Sequence, residues 1–205
     1  MTLGLSFFAI QMAMFILLNC VNIIIANRCS LEAVTIYNVT HQYFFVILTV
    51  SNIIAGPFWV AYTDAYTKQD FTWMKKCVSK LTRIWFGLCL LALFMLFISS
   101  KVFEIWIGHN LPIAFSTSAA MCFFALVSSL ATIYMLSING TGKIRLQLYC
   151  YIASAVIAPI LMCAVPAKLP TIIMVLTFIY LVQIILGRIQ LQKITSNTAN
   201  NIWNK

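Results

Sequence analysis

The stretch GPFWVAYTDAYTKQDFTWMKK, residues 56–76, breaks a long run without charge. From Ala33 to Thr63 the chain has no Asp, Glu, Lys or Arg. Two acids, three lysines and six aromatics then fall within the twenty-one quoted residues. A charge-free apolar run followed by an aromatic and basic band is what a chain shows where it leaves a bilayer through the headgroups. Composition agrees: 62% of residues are hydrophobic, 8% are charged and the mean hydropathy is +0.97. A soluble domain carries about 25% charged residues, and this chain has too few to cover its surface. The expected class is an all-α integral membrane protein.

A helix crossing the hydrocarbon core needs roughly 20 apolar residues. Six windows qualify, at about 3–26, 34–62, 84–100, 112–138, 146–166 and 170–187. The third is short, and the second and fourth are long enough to tilt or to reach the interface. The apolar runs are continuous, with no alternation of period two, so helices are expected rather than a barrel. The first window lacks the basic start and the A-x-A site of a signal peptide, and Asn19 spoils the lipoprotein-like LLNC ending at Cys20. It is expected to remain as a span. The domain reading is a six-helix lobe over 1–187 and a short basic tail over 188–205.

Lys and Arg placement gives the orientation. One set of loops holds Lys68, Lys75, Lys76, Lys80, Arg83, Lys143, Arg145, Arg188, Lys193 and Lys205; the other holds Arg28, Lys101 and Lys168. Ten against three predicts that the first set, and both termini, face the cytoplasm. The formal net charge of +9 then reflects topology and contact with anionic headgroups. It is scattered over separate loops, which does not fit a nucleic-acid partner.

No cofactor or metal is expected. The seven cysteines (20, 29, 77, 89, 122, 150 and 163) form no C-x-x-C pair, and most sit in spans as small apolar residues. The sequons Asn38-Val-Thr40 and Asn139-Gly-Thr141 fall in a span and at a cytoplasmic turn. Nothing resembles an enzyme site: there are no paired buried carboxylates, no nucleophile beside a base and no phosphate loop. NGTGK, residues 139–143, lacks P-loop spacing and reads as a helix turn with Lys143 facing lipid phosphate.

The opening stretch is then expected to be a kinked exit. Pro57 removes a backbone donor, and Trp59, Tyr62 and Tyr66 sit at headgroup depth. Asp70 or Thr72 caps an interfacial helix over about 70–82, with Phe71, Met74, Val78 and Leu81 on one face. Pro57, Trp59, Tyr62, Asp64, Tyr66, Lys75, Lys76, Lys143 and Arg145 are the candidate cytoplasmic gate or interface residues, the alternative being a purely topological anchor. In span four, Ser118, Cys122, Ala125, Ser129 and Thr132 make a small-residue stripe that reads as close helix packing.

Three segments in order, PFWVAYTDAYTKQDFTWMKK, INGTGKIRLQ at 138–147, and the first span with Phe7-Phe8 and Asn22-Ile-Ile-Ile, carry a resemblance. They resemble the second lobe of bacterial polysaccharide and O-antigen repeat-unit flippases, in the multidrug/oligosaccharidyl-lipid/polysaccharide exporter superfamily. The resemblance implies a six-helix, MATE-like lobe in the bacterial inner membrane. It also implies flipping of undecaprenyl-pyrophosphate-linked oligosaccharide for lipopolysaccharide or other surface polysaccharide. Family members have two such lobes around a central cavity and this chain matches one. The expectation is therefore a partial transporter whose partner is a separately encoded N-terminal lobe or a second copy.

At 100° per residue, Asn38, His41, Gln42, Thr49 and Asn52 share an arc of about 100° on span two, and Gln11 lies about 20° from Asn22 on span one. Polar side chains at this depth are costly unless they meet water or one another. These seven residues are the candidate cavity wall; helix–helix hydrogen bonding is the competing reading. His41 is either a neutral, satisfied side chain or a proton relay. Two alternatives to the flippase remain, a lobe of a multidrug cation antiporter and a non-transporting scaffold or remnant. The antiporter predicts a buried acid, and none appears in the spans.

Overall fold

A computed structural model describes residues 3–108 and 111–204. Lys205, counted above among the basic residues, lies outside the described residues. The chain is all-α: α1 (Leu3–Arg28), α2 (Leu31–Thr67), α3 (Phe71–Ile107), α4 (Phe115–Thr141), α5 (Arg145–Ala164) and α6 (Leu169–Thr195), then a 3-10 turn, Asn201–Asn204. All six helices are long and apolar enough to cross a membrane.

The centre of the bundle is α4. Of its most apolar window 72% is buried, against 22–44% in the other five helices. Small side chains make this possible: Ser118, Ala120, Cys122, Ala125, Ser128, Ser129 and Ala131 are buried and let neighbours approach from several sides. The stripe read from the sequence is therefore packing, with only its last member, Thr132, half-exposed. Around α4 stand α2, α3 and α6; α5 leans on α6, and α1 leans on α5. The outward faces are greasy, with Phe97 and Ile105 each 86% exposed and Leu90 72%. Apolar exposure on this scale marks a surface meant for lipid or protein.

Short connections alternate the helices between two ends. The turns after α1, α3 and α5 are at one end; those after α2 and α4, with the start of α1 and the end of α6, are at the other. Cross-links confirm the pairing of ends: Phe7 of α1 lies 6.0 Å from Trp59 of α2 between ring centroids, and Gln190 of α6 donates to the Lys143 carbonyl at 2.8 Å. Nine of the ten residues of the larger basic set are described, and all nine fall toward this second end. At the first end Arg28 donates to the carbonyls of Met162 and Val165, at 2.6 and 2.8 Å. It thereby caps the C-terminus of α5, where a cation is favoured and carbonyls lack helix partners.

Three expectations are revised. The kinked exit expected at Pro57 is not followed at once by a turn: α2 runs ten residues further, to Thr67, with the proline on an exposed face. The segment 70–82 is not a separate interfacial helix but the first turns of a 37-residue α3. Met74, Cys77, Leu81, Leu88, Ala92 and Met95 are all buried at three-, four- and seven-residue spacing, so one continuous face serves both parts. Asp70 caps it, its carboxylate accepting from the Trp73 amide at 2.9 Å. Lastly, the tail does not begin at residue 188. Helix α6 continues to Thr195, and Trp203 folds back with its ring 4.4 Å from Lys193 Nζ.

Candidate functional site

The polar residues of α2 do not face the core. Its buried side chains are Tyr37, Thr40, Phe44, Ile47, Ser51, Ala55, Tyr62 and Ala65. On the opposite side, Thr35, Asn38, Gln42, Phe45, Thr49, Asn52, Gly56, Trp59 and Thr63 follow each other at alternating three- and four-residue steps, and every one is exposed. That period keeps a seam straight along a helix. Between Asn38 and Asn52 it covers about 21 Å at 1.5 Å per residue, most of a hydrocarbon core of about 30 Å.

Helix α1 adds to the seam. Gln11 is exposed and Asn22 half-exposed, and Asn38 Nδ2 donates to Asn22 Oδ1 at 3.2 Å. Asn38 also donates to the Val34 carbonyl at 3.0 Å, and Thr49 donates to the Phe45 carbonyl at 3.1 Å. Gln11, Gln42 and Asn52 make no hydrogen bond among the described residues. Of the seven wall candidates, six therefore share one exposed face spanning two helices. Their mutual hydrogen bonding is limited to one pair. The seam also takes in Thr35 and Thr63, near the two ends of the charge-free window, which the arc drawn from the sequence does not include.

His41 is the exception. It is half-buried at the edge of the seam, with ring centroids 5.8 Å from Tyr37, 5.5 Å from Phe45 and 6.4 Å from Phe124. It makes no hydrogen bond among the described residues and no acid stands near it. Glu32 and Glu104 belong to the far ends of α2 and α3, and Asp64 and Asp70 to the α2–α3 turn.

The interfacial candidates divide. Trp59, Asp64, Lys75, Lys76 and Arg145 are exposed, and Tyr66 and Lys143 are half-exposed. Asp64 pairs with Lys68 at 2.8 Å across one helical turn, with both side chains more than half exposed; such a pair contributes about 0.3–0.5 kcal/mol. Tyr62 does not face outward with Trp59. It is 1% exposed, its hydroxyl donates to the Met74 carbonyl at 3.0 Å, and its ring meets Trp73 edge-on. It belongs to the packing that joins α2 to α3.

Among known proteins, no family model, no curated protein and no solved structure matches this chain. The fold and the wall thus define a class. It is an all-α, multi-pass membrane architecture of six apolar helices with a polar seam on the outer face of its first two.

Proposed function

We propose that this chain is one lobe of a transporter that moves lipid-linked oligosaccharides across a bacterial inner membrane. The single observation that carries the reading is the exposed seam with Gln11, Gln42 and Asn52, well inside apolar helices, making no hydrogen bond among the described residues. An amide left bare in hydrocarbon costs several kcal/mol, so this face meets water, a polar ligand or another polar surface. Neutral amides and hydroxyls interleaved with Phe45 and Trp59 suit sugars, which offer hydroxyls at their edges and C–H faces to aromatic rings. The lipid tail stays in the bilayer while the sugar passes along the wall, and the opposing wall comes from a second body, a separate lobe or a second copy. All four carboxylates are exposed and close to helix ends, which leaves a cation antiporter without a buried acid to carry its ion.

Single cysteines test the wall in an otherwise cysteine-free chain in membranes. Gln42→Cys and Asn52→Cys should react with a membrane-impermeant maleimide, and soluble oligosaccharide should slow the reaction. Ile47→Cys, on the buried face, should stay protected. Equal protection at all three positions would remove the cavity; labelling that oligosaccharide does not slow would remove the sugar.

A further inference from the structure

A concavity with charged walls lies away from the seam, where α3 and α6 approach their basic ends. Both helices pack on α4, which holds them apart, and the gap is a cleft of about 430 Å³ floored by Tyr134. Gly187 sets this geometry on the α6 side. A Cβ there would come within 3.2 Å of Met135 Cε and 3.3 Å of Tyr134 Cβ, so the bare glycine seats α6 on α4 beside Arg188. The cleft volume falls within the roughly 300–1,000 Å³ of small-ligand sites.

Its lining is one-signed. Lys75, Arg83 and Arg188 contribute three cations, with Ser79, Thr82 and Tyr134 supplying hydroxyls and no carboxylate present. None of the chain's four acids can neutralise them: Asp64 is held by Lys68, Asp70 caps α3, and Glu32 and Glu104 are at the opposite end. Lys75 and Arg188 make no hydrogen bond or ion pair among the described residues. Arg83 makes one long bond, from Nε to the Ser79 carbonyl at 3.5 Å. Arg83 lies twelve residues into α3, about 18 Å along its axis, so these cations are drawn toward the apolar layer rather than spread on open loops. Val78, Phe86 and Leu191 form an apolar lip beside them.

We propose that this cleft binds the phosphate of an anionic phospholipid, with its acyl chains lying along the Phe86 side. Two guanidiniums provide forked donors matched to phosphate oxygens, Lys75 adds a point charge, and the apolar lip is continuous with the lipid-facing surface. Free phosphate shares the headgroup chemistry but gains nothing from that lip, so the lipid is the ligand. Basic pockets between membrane helices bind anionic headgroups by this combination. The site is built by α3, α4 and α6 and does not rest on the transport reading.

The test uses the full chain in nanodiscs of phosphatidylcholine with and without phosphatidylglycerol, released for native mass spectrometry. The wild-type chain should retain one phosphatidylglycerol in preference to phosphatidylcholine. Arg83→Gln/Arg188→Gln should weaken retention by on the order of thirtyfold, from about 1 kcal/mol per cation. Lys76→Gln/Lys80→Gln, which removes equal charge outside the cleft, should leave it unchanged, and Arg83→Lys/Arg188→Lys, read if the glutamine pair does not fold, should weaken it only in part. Equal retention of both lipids, equal loss in the two glutamine pairs, or full retention without the arginines would overturn the proposal. Displacement of the lipid by millimolar inorganic phosphate would assign the cleft to the free anion instead.

Discussion

Gly140 of α4 faces Tyr62 of α2 so closely that a Cβ on the glycine would sit 2.6 Å from Tyr62 Cβ and 3.0 Å from the Trp59 carbonyl oxygen. Neither neighbour can move cheaply, because one is the root of a buried side chain and the other is backbone. The contact fixes the basic end of α2 against α4, and Tyr62 extends it to α3 through its bond to Met74.

Gly140→Ala should therefore destabilise the chain by about 1–3 kcal/mol, despite the gain of about 1 kcal/mol in helix propensity. Gly187→Ala should cost less than Gly140→Ala, since its nearest neighbour is the flexible tip of Met135 and Tyr134 Cβ stands at 3.3 Å, a milder clash that the same propensity gain partly offsets. Thermal unfolding of both variants in detergent measures the contrast. Equal effects at the two positions would contradict the close α2–α4 approach.

Arg28 should matter through α5, from which it is separated by 134 residues of chain. Its guanidinium donates to two carbonyls at the α5 C-terminus. Charged hydrogen bonds contribute about 1.5–3 kcal/mol each before allowance for shared geometry. Arg28→Gln should lower stability by about 2 kcal/mol and speed amide exchange in the last turn of α5, whereas Arg28→Lys should recover part of the loss. Faster exchange confined to the α1–α2 turn would contradict the cap.

Much of this fold was legible because lipid imposes length. Six uninterrupted apolar windows could hardly be anything but six helices, and Asp70 was one of two cap candidates, with Thr72, at the start of an amphipathic run. Residues that act across helices were less legible. Tyr62 has the composition of an interfacial aromatic, and only the proximity of Gly140 and Met74 shows it to be core. Gly140 sits beside Gly142, the left-handed cap of α4 at φ 70°, so the pair reads locally as one turn although only Gly142 serves it. The polar seam was visible as a helical arc, but an arc does not say whether it points inward or outward. That depended on the apolar residues opposite it, Phe44, Ile47 and Ala55, finding α4.

The basic asymmetry sets a topology prediction. Nine described cations gather toward the end bearing the α2–α3 and α4–α5 turns, and the positive-inside rule predicts that this end is cytoplasmic. Reporters fused after Lys68, Lys143 and Ser196 should read as cytoplasmic, and those after Ser30, Pro112 and Ala167 as external. An external signal after Lys143 would reverse the bundle or break the six-span count.

The seam gives the last prediction, and its sign separates function from packing. Gln42 and Asn52 are exposed and form no hydrogen bond among the described residues, so the isolated lobe loses no contact when they become apolar. Gln42→Leu and Asn52→Leu should leave thermal stability in detergent within about 0.5 kcal/mol of the parent, as substitutions away from packed features do, or raise it. In membranes, where bare amides are costly, the same changes should raise the yield of inserted chain expressed alone. Under the proposed transport function, cells dependent on this chain should nevertheless lose surface polysaccharide, because the wall would no longer hydrogen-bond sugar. Trp85→Phe makes the structural comparison. Its indole donates to the Leu126 carbonyl and to Ser129 Oγ, at 3.0 and 3.1 Å, so the variant should lose about 1 kcal/mol while keeping the seam intact. If the leucine variants were destabilised like Trp85→Phe, or surface polysaccharide survived them, the seam would be packing surface rather than a path for sugar.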